Sequence, residues 1–230
     1  MMARQYDRMM AGYELDAGPR RAALLGELSG RVVELGPGTG VNLEHLGCRH
    51  AAPTSHGLGP GASGLEHPTE AGPHDLEWFG VEPSEPMRDK LRERWTRERP
   101  GSAEPHFVGL DGNRLELEDG WADAVVATLV LCSVPDPAAT LAEVRRVLKP
   151  GGRFVFLEHV GAPRGTWTRR LQALGTPVWR WLADGCCLNR DTGALIESAG
   201  FEAVELEAYV APREAAPPWV AHHVAGVARR

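Results

Sequence analysis

The sequence predicts an α/β protein whose sheet is mainly parallel, and three observations support this fold class. Apolar runs of strand length alternate with amphipathic helical segments between residues 31 and 160, the order that builds parallel sheets. The run 123–131 is rich in valine and almost entirely apolar, as expected of a strand buried on both faces. The first strand, 31–35, ends in a turn with three glycines in five residues, and a helix start follows the turn. Such a strand, glycine turn and helix N-terminus form a site for a nucleotide-like ligand.

Helices are predicted in front of the first strand. Residues 1–17 indicate a short helix or lid, and Pro19 can occupy the first turn of a second helix that runs to Leu28. We interpret 1–29 as an N-terminal lid or helix of a single domain that spans residues 1–230. Residues 48–76 consist mostly of Gly, Pro, His, Ser and Ala without periodicity, which predicts a disordered or loosely held insertion.

Strands and helices continue to alternate after the insertion. Further strands are predicted over residues 78–82, 105–108 and 153–160, and helices over residues 86–97 and 137–148. The turn Lys149-Pro150-Gly151-Gly152 ends the second of these helices.

The C-terminal third departs from this alternation. A helical stripe through Trp167, Leu171 and Leu174 is followed by Thr176-Pro177, which predicts a second short helix through Leu182. Another helix is predicted from residues 191–192 to 199, and two strands over 202–210 and 224–228. No helix-length crossover separates these two strands, so we expect them to pair antiparallel.

Composition restricts the class of partner. The net charge of −6 and a pI near 5.9 argue against a nucleic-acid partner. The four cysteines include no C-x-x-C pair, and the spacing of cysteines and histidines matches no metal-ligand pattern, so we predict neither a disulfide framework nor a metal site. The sequence contains neither a recognisable signal peptide nor a run long enough to span a bilayer. We expect a cytoplasmic protein that acts on a small molecule, and its oligomeric state stays open.

The ligand of the glycine turn can be narrowed from the residues around it. The turn lacks the Gly-x-Gly-x-x-Gly pattern of dinucleotide sites. Glu34 within the strand would repel a pyrophosphate but suits an ammonium or sulfonium cation, and S-adenosylmethionine carries both cations and no phosphate. Glu82 ends the second strand, where a carboxylate can accept both ribose hydroxyls. Asp111 follows the third strand and can accept from an adenine amino group, although Asp111-Gly112 is also a common turn dipeptide.

These residues resemble the class I S-adenosylmethionine-dependent methyltransferases. Residues 34–40 match that family's first motif, Glu82 its ribose acid, 109–113 its adenine loop, and 149–152 the turn before its fifth strand. The resemblance extends over residues 5–230 apart from the insertion. It implies a Rossmann-like sheet of seven strands with helices on both faces, an antiparallel C-terminal strand pair, and S-adenosyl-L-methionine as the methyl donor. The residues that it implies for donor binding are Glu34, Gly36, Pro37, Gly38, Thr39, Gly40, Asn42, Glu82, Pro83, Met87, Asp111, Gly112 and Leu129.

A narrower resemblance is to the branch that includes the alkyl thiol S-methyltransferases. It is carried by the segments 128–134, 156–160 and 184–190, and by His223 and Gly226. The animal enzymes of this branch have an N-terminal hydrophobic membrane segment that this sequence lacks, and the insertion 48–76 is foreign to them. The branch implies a thiol acceptor and S-methylation.

Methyl transfer from a sulfonium is an in-line displacement on an activated donor, so the protein mainly supplies proximity and orientation. A thiol, with a pKa of about 8.5, needs no strong base. His159 and Asp184 are the candidates for a base or for a group that orients the acceptor, although His159 can equally be a satisfied edge histidine and Asp184 a turn cap. The segment 167–182 can either cover an apolar acceptor pocket or pack in the core, and the N-terminal Tyr6 and Tyr13 can close over the donor.

The leading hypothesis is a small-molecule methyltransferase, with thiol S-methylation favoured over O- or N-methylation. The Asn-Pro-Pro-Tyr type motif of nucleobase amino methyltransferases is missing after the fourth strand, which counts against DNA or RNA as substrate. Two more distant alternatives are a nicotinamide-dependent oxidoreductase and a non-catalytic module that binds the donor.

Overall fold

The computed structural model describes residues 2–46, 76–109 and 111–230, with side chains from residue 11 onwards. The predicted insertion 48–76 therefore lies, except for Leu76, outside the described residues.

The described chain forms one sheet of seven strands, which confirms the predicted fold class. The strands are β1 Gly30–Leu35, β2 Leu76–Val81, β3 His106–Phe107, β4 Ala122–Thr128, β5 Leu148–His159, β6 Ala203–Val210 and β7 His222–Arg229. Their order across the sheet is β3-β2-β1-β4-β5-β7-β6. The pairs among β1 to β5 are parallel, and β7 is antiparallel to both β5 and β6, as predicted for the C-terminal pair.

Helices cover both faces of the sheet. They are α1 Met2–Leu25, α2 Glu85–Glu98, α3 Pro137–Val147, α4 Trp167–Leu182 and α5 Thr192–Ser198, with a short 3₁₀ helix over Val41–Glu44. None of the helices among the described residues is both long and apolar enough to cross a membrane.

The prediction that prolines divide two of these helices was wrong. Pro19 lies inside α1 and Pro177 inside α4, although an internal proline removes one backbone hydrogen bond. Burial of apolar residues on both sides of Pro19, at Ala17 and Leu25, explains why α1 continues through it, because tertiary packing overrides local propensity. In α4 the Thr176 hydroxyl donates to the Gln172 carbonyl oxygen at 2.7 Å, which supports the turn next to the proline.

The sheet is buried on both faces because alternate residues of its central strands pack in different clusters. Val33 and Val125 belong to the cluster beneath α3 and α5, whereas Val32 and Val126 belong to the cluster beneath the end of α1 and α2. This alternation follows from the two-residue repeat of a β-strand. The parallel pairing of β1, β2, β4 and β5 places their carboxyl ends along one edge of the sheet.

Candidate active site

The glycine turn lies where the strand order of the sheet reverses. β1 pairs with β2 on one side and with β4 on the other, so the connections leaving the two strands diverge and open a crevice at their carboxyl ends, where ligands of such sheets bind. The Gly36 N–H donates to the Val81 carbonyl oxygen at 2.9 Å, and the Gly40 N–H to the Pro37 oxygen at 2.9 Å. The turn is thus anchored to β2 and closed on itself.

The three glycines have backbone conformations that other residues rarely adopt. The φ angles of Gly36, Gly38 and Gly40 are 55°, 56° and 83°, all in the left-handed region that favours glycine. A Cβ at Gly36 would collide with the Val130 side chain, whereas a Cβ at Gly38 would meet nothing within 4 Å. Gly38 therefore faces open space, where a ligand can approach the backbone.

Glu82 joins the glycine turn to α2. Its two carboxylate oxygens accept hydrogen bonds from the Gly38 N–H at 3.0 Å and the Ser84 N–H at 2.9 Å. Burial raises the pKa of this carboxyl above its usual value of 4.5. An ionised carboxylate offers about four lone-pair sites, so two remain for hydroxyl groups of a ligand, which fits the predicted role of Glu82 at a ribose.

Glu34 lies beneath the ligand cleft. Its side chain is 1% exposed, and its oxygens accept from Asn42 Nδ2 and Trp78 Nε1, both at 2.8 Å. Burial raises the pKa of Glu34, against the effect of these two hydrogen bonds. Asn42, and not Glu34, lines the cleft, so Glu34 acts on the cleft by orienting the Asn42 amide.

Helix α1 covers this cleft, whose lining residues are Glu14, Arg21, Gly36, Pro37, Gly38, Val41, Asn42 and Thr128. Arg21 is 4% exposed. It donates to Asn42 Oδ1 at 2.6 Å and pairs with Glu14 at 3.0 Å. Sequence reasoning missed both residues of α1. The available signal was the arginine at the helical spacing of the buried Tyr13, Ala17 and Leu25.

The remaining predicted donor residues lie at the edge of the crevice. Pro83 and Met87 flank the start of α2, and Met87 is half-buried. Asp111 is exposed, and its carboxylate accepts from the Asn113 N–H at 2.8 Å. This bond is the turn arrangement that the sequence offered as the alternative role of Asp111-Gly112. Thr39 is buried within the glycine turn. Leu129 follows β4 with a φ of 57°, a strained conformation of the kind that clusters at functional sites.

The turn after β4 is held by a buried acid that sequence reasoning missed. Glu158 Oε1 accepts from the N–H groups of Val130 and Leu131, both at 3.0 Å. Burial raises the pKa of Glu158 to about 7, against these hydrogen bonds. Arg190 donates to the carbonyl oxygen of Val134 at 2.8 Å and also to that of Leu131. Both contacts fix the backbone that leads to Cys132.

His159, a predicted catalytic candidate, is 4% exposed and lies beside two cysteines. Its Nδ1 is 3.9 Å from Cys186 Sγ, and the ligating atoms of Cys132, His159 and Cys186 all lie within 4.8 Å of one another. The interaction between the two thiols lowers the pKa of Cys186 to about 5 and raises that of Cys132. Cys132 is buried, and its neighbours at this position are a thiol and an imidazole.

Asp184, the other catalytic candidate, is exposed and has a φ of 48°. The next residue, Gly185, donates its N–H to the Arg180 carbonyl oxygen at 2.8 Å, so Asp184 lies in the turn that ends α4. Burial is the main cause of the raised pKa of Glu82, and the charge of Asp184 adds to it.

The structure excludes core packing for the apolar stripe of helix α4, and the side chain of Tyr6 lies outside the described residues. The apolar stripe of α4 is largely exposed, up to 83% at Trp181, so ordinary core packing does not describe it. Gln172 anchors the helix: the Ala162 N–H donates to its Oε1, and its Nε2 donates to the Trp219 carbonyl oxygen. Tyr13 packs on the ring of His223 at 5.2 Å between centroids.

Comparisons with known proteins agree with this geometry. Residues 55–156 match a family described as a methyltransferase domain. Human thiol S-methyltransferase TMT1B is 44% identical over 123 residues, 53% of this chain and 50% of that protein. The rat protein of the same name is 39% identical over 64% of this chain and 60% of its own length. The chain thus spans 50% and 60% of the lengths of these two curated relatives.

Among solved structures, a Thermotoga maritima protein described as an S-adenosylmethionine-dependent methyltransferase and possible histamine N-methyltransferase superposes with a TM-score of 0.63. It is 19% identical, and the alignment covers 100% of this chain and 97% of that one. The resemblance to S-adenosylmethionine-dependent methyltransferases, and to the thiol S-methyltransferases among them, is confirmed.

Proposed function

We propose that this chain, which carries the methyltransferase domain and its fold, transfers the methyl group of S-adenosylmethionine to the sulfur of a small-molecule thiol. The observation that carries the proposal is the buried Glu82 carboxylate bonded to the Gly38 N–H at the switch point of the sheet. This arrangement presents acceptors for ribose hydroxyls beside an open backbone at Gly38. The thiol acceptor is supported by the names of the curated relatives.

The donor-binding residues proposed from the sequence have compatible roles in this crevice. Glu82 would accept the ribose hydroxyls, and the open face of Gly38 would admit the donor close to the backbone. Asn42, oriented by Glu34 and Arg21, would hydrogen-bond the methionine end. Asp111 and Gly112 would accept the adenine, while Pro83, Met87 and Leu129 would supply apolar contacts to it.

The reaction needs little covalent help from the protein. The bound donor supplies an electrophilic methyl group, and the protein holds the acceptor sulfur in line with it and excludes water. His159 is the last residue of β5. The neighbouring strand β4 ends just before Leu129. We propose it as a group that orients the acceptor, and Asp184 as a second polar group at the rim.

A binding experiment tests the cofactor class. Isothermal titration should show S-adenosylhomocysteine binding with one site per chain and no binding of NADH. Glu82→Gln should weaken that affinity by at least about tenfold, because the amide replaces one acceptor oxygen with an NH₂ group that cannot accept. Glu77→Gln, at the opposite end of the same strand, is the control and should leave affinity unchanged. Binding of NADH without S-adenosylhomocysteine would instead favour an oxidoreductase.

A second experiment tests the reaction and its acceptor. Purified protein is supplied with methyl-labelled donor and a panel of alkyl thiols, phenols, amines and carboxylates. We expect label in the thiols. Label confined to phenols or amines would replace S-methylation by O- or N-methylation, and tight donor binding without any labelled product would favour a non-catalytic module.

We also propose that residues 1–230 work as a single domain in the cytoplasm, without a nucleic-acid partner. The acidic net charge of −6 supports this. Cell fractionation of the expressed chain, with recovery in the membrane pellet as the contrary outcome, tests the location.

A further inference from the structure

Three side chains capable of binding a transition metal converge beside the donor crevice. Cys132 follows β4, His159 ends β5, and Cys186 follows α4. Their ligating atoms all lie within 4.8 Å of one another, and His159 Nδ1 lies 3.9 Å from Cys186 Sγ. All three described cysteines, Cys132, Cys186 and Cys187, are free thiols, so none of them is committed to a disulfide.

The separations suit a tetrahedral zinc ion. Zinc binds cysteine sulfur at about 2.3 Å and histidine nitrogen at about 2.0 Å, which at tetrahedral angles places neighbouring ligand atoms roughly 3.5–3.8 Å apart. The distance between His159 and Cys186 is close to this range. Small side-chain rotations would bring the group around one ion.

The histidine has an unused polar atom. His159 is buried, and its Nε2 has no hydrogen-bond partner among residues 11–46, 76–109 and 111–230. A buried polar atom without a partner is costly. Nδ1, the nitrogen that faces Cys186 Sγ, would be the metal ligand, and the ring proton would then lie on Nε2.

The backbone around the group is held in place before any ion binds. Glu158 accepts from the N–H groups of Val130 and Leu131, and the Cys187 N–H donates to the Cys132 carbonyl oxygen at 2.8 Å. These bonds tie the segments of Cys132 and Cys186 to each other and to β5. Ligands on a preorganised backbone bind metal with less ordering cost.

We propose that Cys132, His159 and Cys186 bind one Zn²⁺ ion, whose fourth position takes the sulfur of the acceptor thiol. The inference rests on the proposed function for its substrate, and it replaces the expectation of no metal site. Three protein ligands with one open position are the pattern of catalytic zinc sites, and thiolate sulfur is a preferred ligand of zinc.

The ion would prepare the acceptor for transfer. The acceptor R–SH binds as a thiolate and releases its proton to solvent. The thiolate electron pair then forms the new C–S bond with the donor methyl group. The bond between that methyl and the donor sulfonium breaks, its electron pair stays on the donor sulfur, and S-adenosylhomocysteine results. The product is a neutral thioether, a weaker ligand, and leaves the metal.

Cobalt(II) is the probe, because its spectrum reports ligand type and geometry. The full chain, reduced with a phosphine and freed of metal, is titrated with Co²⁺. We expect one equivalent to produce a thiolate-to-cobalt charge-transfer band and the intense visible bands of tetrahedral cobalt, both removed by Zn²⁺. Addition of ethanethiol should shift the bands, and ethanol should not.

Variants assign the ligands. Cys186→Ser, Cys132→Ser and His159→Ala should each weaken cobalt affinity by at least about tenfold. Cys187→Ser and His222→Ala change neighbouring residues of the same type and should leave affinity and spectrum unchanged. Cys186 is less buried than Cys132, so Cys186→Ser keeps the test valid if Cys132→Ser fails to fold, as judged by circular dichroism.

Two outcomes overturn the metal site: absence of tetrahedral bands in the folded, reduced protein, or equal affinity in Cys186→Ser and the parent. The proposed function fails separately. If S-adenosylhomocysteine binds and thiols are methylated without a cobalt site, only the metal proposal is lost. If cobalt binds as expected but S-adenosylhomocysteine does not, the donor assignment is lost and the metal site stands.

Discussion

At the scale of single residues, the proposed role of Glu82 at the donor predicts that binding depends on pH. Its carboxylate must be ionised to accept both ribose hydroxyls while it also accepts from Gly38 and Ser84. Burial raises its pKa above 4.5. Affinity for S-adenosylhomocysteine should therefore be complete well above that raised pKa and fall as the pH decreases through it, with a midpoint above pH 4.5.

Titration calorimetry at a series of pH values measures this midpoint. Glu82→Gln removes the titrating group, so its weak affinity should show no such midpoint, while Glu77→Gln should follow the parent curve. A midpoint at or below 4.5 in the parent protein would show that another group controls binding.

Gly36 and Gly38 differ in their surroundings, so alanine at the two positions should affect stability and donor binding differently. An alanine at either position takes a left-handed φ, at a cost of roughly 1 kcal/mol. At Gly36 its Cβ also collides with Val130, so Gly36→Ala should lower the free energy of unfolding by about 2–4 kcal/mol. Gly38→Ala should lower it by about 1 kcal/mol and mainly reduce donor affinity, because its Cβ enters the open space.

Urea denaturation and titration calorimetry on the two variants distinguish these effects. Equal losses of stability, or unchanged donor affinity in Gly38→Ala, would contradict the assignment of the open face to the donor.

At the scale of elements, α1 is fastened to the donor crevice by Arg21. The buried guanidinium bonds Asn42 and pairs with Glu14. Arg21→Ala leaves both partners without their donor, so we expect a loss of about 1–3 kcal/mol in the free energy of unfolding and faster amide exchange in α1. Arg20→Ala is the matched control, since Arg20 is partly exposed in its pair with Glu207, and it should cost about 0–1 kcal/mol.

Hydrogen exchange followed by mass spectrometry provides the measurement. Faster exchange spread evenly over the sheet, with none specific to α1, would mean that Arg21 stabilises the whole fold and does not hold α1 on the crevice.

The strands were predictable from sequence because glycine turns and apolar periodicity are local signals. β1, β4 and the antiparallel pair were found for this reason. The continuity of α1 through Pro19 was not, since burial of residues on both sides of the proline decides it. Glu34 and Glu82 were recognised by position, but the link from Glu34 through Asn42 to Arg21 depends on how α1 folds back. No spacing rule reports such a contact.

At the scale of the whole molecule, the site has two halves joined by the pairing of β1, β4 and β5. The half at β1 and β2 carries the glycine turn and Glu82. The half at β4 and β5 carries Cys132 and His159. His159 is 27 residues before Cys186 in the sequence. That distance along the chain explains why sequence spacing did not reveal the cluster, whereas the parallel register brings it together beside the donor crevice.

The sheet that joins these halves depends on Gly226, where β7 lies between β5 and β6. A Cβ at this position would collide with the backbone of β6, at the Glu205 carbonyl oxygen and 2.8 Å from Leu206 Cα. Gly226→Ala should therefore lower the free energy of unfolding by about 1–3 kcal/mol. Gly175→Ala, inside α4 with only Leu188 at 3.7 Å, should raise it by about 0.5–1 kcal/mol.

Thermal and urea denaturation measure the change in the free energy of unfolding. This change should be negative for Gly226→Ala, because β6 and β7 approach closely there, and positive for Gly175→Ala. Gly226 lies away from the donor crevice, so the folded Gly226→Ala protein should bind S-adenosylhomocysteine with the parent affinity at 25 °C. A loss of affinity without a loss of stability would mean that the β5–β7 pairing shapes the donor half of the site directly. A gain of stability in Gly226→Ala would contradict the close strand approach itself.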